Sequence, residues 1–347
     1  MAKQDCSVYK KIFWMLFSTL LAGVTVWAIF KQSRSLSIEQ LFNVMIDGKK
    51  PYLIISIACA AAYVVLEGVA ICSILKGISY KRSLRKGILY STSDVYFSAI
   101  TPSATGGQPA SAYFMHKDGI PAGVVSATLI LNLMMYTAAI VFLGIIAVIM
   151  HPGFFRDFET LSRVLIVIGF VVLTGLTIFF FMVLKKSDNV FAFIKRIVMY
   201  LCKKKIIHNS EHALSKIENM HKDYKNCAKL FAGKNGILRK AFAWNVLQRA
   251  SQIAVPMFMH LCIGGNNRDS VTLFAKQCLI TIGYNFVPIP GAMGVADYLM
   301  IDGFSNIMTH EAALQLDMLS RGITFYFCVT ISGLVTLGGY LWTKKKR

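Results

Sequence analysis

Apolar residues fall in long unbroken runs along the chain. Neither the alternation of a half-buried strand nor the one-sided stripe of a soluble helix accounts for them. Runs at 12–30, 52–75, 122–150, 164–184, 241–263 and 322–342 each approach or exceed the ~20 residues that carry a helix across ~30 Å of hydrocarbon. Two more apolar stretches, 88–115 and 271–310, are interrupted by Pro and Gly, which break a helix by removing a backbone donor or by favouring non-helical backbone. The pattern predicts an all-α integral membrane protein. It has about six spanning helices plus two broken hairpins, or eight or more helices in total. The run at 12–30 follows Lys10 and Lys11 as a signal peptide would. It is longer than a secretory h-region and no small-x-small cleavage site follows, so it reads as a retained first helix.

Composition agrees: 55% of the 347 residues are hydrophobic and 16% are charged, more apolar surface than a soluble domain can bury. The net charge of +20 does not indicate nucleic acid, because the cations sit in short segments beside the apolar runs, where they serve anionic membrane lipids. Lys3, Lys10 and Lys11, the acid-free segment 76–87, the segment 185–240 with fourteen Lys/Arg against four acids, and the C-terminal 344–347 are all rich in cations. By the positive-inside rule these four are cytoplasmic, both termini included, and the acid-balanced segments 31–51, 151–163 and 264–320 lie outside. Parity then makes stretch 88–115 begin and end inside and stretch 271–310 begin and end outside. Each is a re-entrant hairpin or a pair of short tilted crossings, and charge does not separate the two. Opposed broken hairpins are the mark of inverted repeats with a binding site near the midplane. The expected organisation is one polytopic domain over 1–347. Its halves are 1–150 and 151–347, with 185–240 a basic cytoplasmic loop and 241–347 carrying the second hairpin.

The chemistry concentrates at the breaks. The first reads Thr101-Pro102-Ser103-Ala104-Thr105-Gly106-Gly107-Gln108-Pro109. Backbone groups freed at membrane depth need protein partners, and Thr101, Ser103, Thr105 and Gln108 supply candidates. A helix restarting at Gly106–Gly107 presents its positive end to an anion such as a phosphate. The alternative is an ordinary cytoplasmic loop. The second break runs from Asn285 through Pro288, Pro290, Gly291 and Gly294 to Asp297 in the first turn of a new helix, where that carboxylate either faces a cavity or only complements the helix end. Glu67 and Arg249 lie inside apolar runs and Asp94 precedes the first break. Intramembrane charges mark functional cavities by default, the alternative being a structural ion pair. Asn245, Arg249 and Gln252 recur at i, i+4, i+7 and give one polar helix face. Arg321 opens the last run, poised for a cavity or for snorkelling to the interface. Asn132 reads as a helix–helix hydrogen bond. The eight cysteines form no C-x-x-C pair and read as small core residues. His208 and His212 lack an acid or thiol to complete a metal set. No cofactor, metal or nucleotide motif is expected.

The motifs Thr-Pro-x-x-x-Gly-Gly-Gln-Pro, Lys117-Asp118-Gly119-Ile120-Pro121 and Pro-x-Pro-Gly-x-x-Gly-x-x-acid resemble those of the lysylphosphatidylglycerol synthase transmembrane (flippase-like) family. That family includes the membrane half of the multiple peptide resistance factor. The position of Asp297 is usually Glu there. The resemblance covers nearly the whole chain. Segment 185–240 is too short to fold as the soluble aminoacyl-transfer domain, so the resemblance implies the translocation half alone, and enzyme activity is left open. The implied function is flippase-like movement of a phospholipid, such as lysylphosphatidylglycerol, in a bacterial plasma membrane, with resistance to cationic antimicrobial peptides. The alternatives are a phosphatidylglycerol lysyltransferase and an ion-coupled transporter of a small polar solute. The expected partners are the phospholipid substrate, anionic lipids, a separate aminoacyl-lipid synthase and a second copy of the chain.

Overall fold

A computed structural model describes residues 47–101, 104–185, 229–231 and 233–345, with scattered positions between 192 and 218. The expected first helix at 12–30 and the two histidines at 208 and 212 lie outside the described residues. Among the described residues the chain is all-helical. It forms α1 (Lys50–Gly77), α2 (Leu84–Ile100), α3 (Gly107–Lys117), α4 (Ala122–Met150), α5 (Thr160–Lys185), α6 (Asn235–Cys262), α7 (Ser270–Asn285), α8 (Val295–Phe304), α9 (His310–Arg321) and α10 (Cys328–Lys345). Single turns at Gly153–Arg156, Asn267–Asp269 and Pro290–Ala292 fill three of the connections.

α1, α4, α5 and the rod from His310 to Trp342 are long and apolar enough to span a bilayer. The last of these departs from expectation. Its helix does not begin at Gly322 but at His310, and passes through a π-helical segment, Gly322–Phe327, into α10. Arg321 therefore lies within the rod, not at its start. The charged, amphipathic turn sequence of α9 falls below the hydropathy of the run that follows, which hides the true helix start. Exposed apolar side chains cover α5 (Val164, Val167, Val171, Ile178) and α10 (Leu334, Leu337, Leu341). Such faces need hydrocarbon as their solvent. The protein is a multi-pass membrane protein.

Small residues let the helices close on one another. α1 packs along α6 and α2, and α7 lies against α4, α5 and α6. A Cβ on Gly68 of α1 would stand 2.7 Å from the backbone of Gly87 in α2, and one on Gly169 of α5 would stand 2.2 Å from the carbonyl of Ile282 in α7. Close backbone approach of this kind is how helices associate where lipid removes the hydrophobic drive.

Both broken stretches are helical hairpins. α2 returns as α3, and α7 returns as α8. α3 and α8 have 11 and 10 residues, about half the length of a crossing. Each hairpin base is clipped by ions and hydrogen bonds. At the first, Lys86 Nζ lies 2.6 Å from Asp118 Oδ1, Tyr90 donates to the same carboxylate, and Arg82 Nη2 donates to the Asp118 carbonyl at 2.9 Å. At the second, the segment after α4 supplies the partners. Lys276 pairs with Asp157 at 3.0 Å, and Asp302 accepts from the Glu159 amide at 3.1 Å. α4 has 29 residues, about 44 Å of helix. It starts beside the base of the first hairpin and ends beside the base of the second. The two hairpins thus stand at opposite ends of one spanning helix, and the Pro290–Ala292 turn of the second touches α2 of the first.

Candidate functional site

Two large apolar cores flank a polar layer. One gathers Ala60 and Val64 of α1 with Ile253 of α6 and the second hairpin, and the other gathers Ile71 and Ile74 of α1 with Ala241 of α6 and the first hairpin. Between them, halfway along α1 and α6, come Glu67, Asn245, Gln248 and Arg249, all at most 8% exposed. Helical spacing forces this stacking. Asn245, Gln248, Arg249 and Gln252 share one face of α6, and α1 presents Glu67 to it. Gln248 Nε2 donates to Glu67 Oε2 at 3.3 Å, and Ser91 of α2 donates to the same oxygen at 3.2 Å. Asn245 Nδ2 donates to Asn132 Oδ1 on α4 at 3.1 Å, a direct helix–helix bond.

Arg249 is the centre of the layer. Its guanidinium lies 3.8 Å from the ring centroid of Tyr136 on α4 and 5.0 Å from that of Tyr63 on α1. Nη1 donates to Gln252 Oε1 at 2.6 Å, while Nε has no hydrogen-bond partner among the described residues. Planar guanidinium between aromatic faces is a favourable arrangement. It fixes the group and leaves a donor edge unspent. Glu67 and Asp94 lie within electrostatic range of Arg249, yet among the described residues no carboxylate comes within 4 Å of its nitrogens. Pro256 one turn further along α6 takes away the amide that would bond the Gln252 carbonyl, so the backbone is also opened beside this site.

The tip of the first hairpin adjoins this layer. Thr101 is extended and Ala104 has a positive φ of 52°. Thr101 Oγ1 donates to the Phe97 carbonyl at 2.6 Å and accepts from the Gly106 amide at 2.9 Å, so this side chain satisfies backbone groups that the break sets free. Ser98 donates to Asp94 Oδ1 at 2.9 Å. A Cβ on Gly107 would meet Ser98 Oγ at 2.0 Å and Asp94 Oδ1 at 2.1 Å; only a glycine lets the start of α3 come this close. The Asp94 carboxylate thus sits against the helix end where the sequence places an anion. Gln108 is half-buried and Thr105 is exposed; Ser103 lies outside the described residues.

The second tip is arranged differently. Gly291 (φ 61°) turns the chain and sits against the Phe325 ring, and Gly294 (φ 82°) precedes α8. The Gly294 amide donates to Asp297 Oδ2 at 2.8 Å. Arg321 Nε forms an ion pair with Asp297 and lies 3.6 Å from Asp317 Oδ1, with Nη2 3.5 Å from the Gly291 carbonyl. Asp297 therefore complements the helix start and also binds a cation. Asn285, at the end of α7, accepts from the Tyr136 hydroxyl at 3.0 Å. Tyr284 lies within electrostatic range of both Arg249 and Arg321, so the second tip borders the same interior.

The family described as lysylphosphatidylglycerol synthase TM region matches residues 15–332. The chain belongs to this family. No match is found among curated proteins.

In this member of the lysylphosphatidylglycerol synthase TM family, the residues singled out in the sequence fall into three neighbouring groups: Glu67 with Asn245, Arg249 and Gln252; Asp94 with Thr101, Gly106 and Gly107; and Gly291, Gly294 and Asp297 with Arg321. Sequence reading missed the aromatic pair and one acid. Tyr63 precedes Glu67 by four residues and Tyr136 follows Asn132 by four, so each shares a helix face with a polar residue. Asp317 stands four before Arg321, the spacing of a helical ion pair. Among the described residues no group of three His, Cys, Asp or Glu is placed to hold a metal.

Proposed function

We propose that the chain moves a phospholipid headgroup across a bacterial plasma membrane, with aminoacylated phosphatidylglycerol such as lysylphosphatidylglycerol as the substrate class. The observation that carries the reading is Arg249, buried between Tyr63 and Tyr136 with an unspent donor edge, in a polar layer at mid-helix. A phosphate meets a rigid, always-charged, bidentate partner there. Glu67 and Asp94, nearby, complement the ammonium of an aminoacyl group. Carrying a bare headgroup through hydrocarbon is costly. A polar layer between two apolar cores shortens the dry path, while the acyl tails remain in lipid. The hairpins re-enter from the two faces, with both chain termini cytoplasmic, and their tips gate the layer in turn. Cationic lipid delivered to the outer leaflet repels cationic peptides, which links transport to antimicrobial-peptide resistance.

The test is reconstitution in vesicles with a headgroup-labelled phosphatidylglycerol or its lysyl form, following loss of label to an impermeant quencher. The wild-type chain is expected to speed translocation. Arg249→Leu, which keeps the volume and the apolar packing, is expected to bring it to the protein-free rate. Equal rates for the two chains would overturn the reading.

A further inference from the structure

Outside the polar layer, α2 and α3 face α10 across an open groove of about 850 Å³, a volume within the ~300–1,000 Å³ of small-molecule sites. Its walls are apolar and aromatic, with Tyr96, Phe97, Ala110, Tyr113, Leu334 and Leu337 prominent. At one end is the tip of the first hairpin, marked by Gly106. At the other, the Lys117 ammonium lies 5.0 Å from the Tyr113 ring centroid and 5.5 Å from that of Tyr340. α3 runs the length between them, 11 residues or about 16 Å, close to the ~15 Å of one leaflet's hydrocarbon. Tyr340 and Trp342 are exposed at the same end of the rod, where an aromatic belt marks headgroup level.

We infer that this groove is a binding site for one phospholipid of anionic headgroup, its acyl chain lying along α3 and its phosphate at Lys117. Charge complementarity selects this occupant. Arg82 and Lys86 at that end are spent on Asp118, whereas Lys117 has no carboxylate within 4 Å among the described residues and is held only over rings. A second copy of the chain would bring a second cationic rim against the first. Arg249 does not line the groove, which meets the first tip only at Gly106, so it selects a neighbouring lipid by charge whether or not that lipid is carried across.

The full chain in phosphatidylcholine nanodiscs, doped with phosphatidylglycerol carrying a photoreactive group in one acyl chain, tests this. Mass spectrometry of the illuminated protein is expected to place label on α3 and α10, removed by excess unlabelled phosphatidylglycerol. Lys117→Gln is expected to lower that label about five-fold, and Ala110→Trp, which fills the groove, to abolish it. Label from a photoreactive phosphatidylcholine should be weaker and indifferent to Lys117→Gln. The Arg249→Leu chain should label as wild type, which separates this site from the translocation reading. Equal labelling by both lipids regardless of Lys117, or chain-to-chain crosslinks through α10 in place of lipid adducts, would overturn the assignment.

Discussion

The first hairpin keeps its acid loose and the second keeps its acid latched. Asp94 is held by the Ser98 hydroxyl, with no cation within 4 Å among the described residues. Asp297 is gripped by Arg321 and by the Gly294 amide, with Asp317 sharing the same arginine. Both tips are Pro/Gly breaks, and both bases are clipped by ions. They differ in whether the interior cation belongs to the tip. Arg321 is committed to the second tip, while Arg249 stands off from the first and keeps a donor edge unspent. The same structural device thus yields a pinned wall on one side and a responsive wall on the other. That asymmetry suits the headgroup transport proposed above, since a cation already neutralised by protein has little left for a ligand.

The largest effect should come from unlatching the second tip. Arg321→Ala leaves the buried Asp317 and the half-buried Asp297 without their cation and is expected to cost ~3–5 kcal/mol, read as a fall in the unfolding midpoint in detergent; Asp94→Asn should barely move that midpoint. If the two variants were equally destabilised, the contrast between the tips would be gone. Next, Gly107→Ala drives a methyl into Ser98 and Asp94 and stands 2.7 Å from the Asp94 carbonyl. It is expected to cost ~1–3 kcal/mol. Gly294→Ala meets nothing within 4 Å, so its cost is backbone strain alone, ~1–3 kcal/mol for a side chain at φ 82° and ψ −51°. The smallest effect belongs to the inter-helix amide pair. Asn132→Ala is expected to cost ~0.6 kcal/mol and to leave headgroup transport near wild type, unlike Arg249→Leu.

Much of this architecture can be read from the chain, because the bilayer imposes length and apolarity on each span. The run at 122–150 coincides with α4, and the Pro/Gly clusters mark both tips. Arg249, Asn245 and Gln252 stand out as polar residues in an apolar run, and their common face follows from helical spacing. What resists sequence reading is pairing across distance. Nothing local ties Lys276 to Asp157, or Lys86 to Asp118, and nothing in the sequence predicts that Tyr63 and Tyr136, ordinary apolar-run aromatics, close on one guanidinium. α9 is obscured for the opposite reason: Asp317 and Arg321, tied to Asp297 across the fold, and the exposed His310 and Glu311 lower the local hydropathy of what is a continuous rod. Family resemblance names the substrate class to test, but the placement of Arg249 between rings comes from the fold.

Opposed entry of the two hairpins is the central claim, and thiol accessibility tests it most directly. A chain with its eight cysteines replaced by alanine receives a single cysteine at Thr105 or at Ile289, both exposed near the tips, and is challenged with an impermeant maleimide from each side of sealed vesicles. The prediction is labelling of the first from the cytoplasmic side only and of the second from the outer side only, each slower than for a thiol in bulk water. Labelling of both positions from one and the same side would contradict the account.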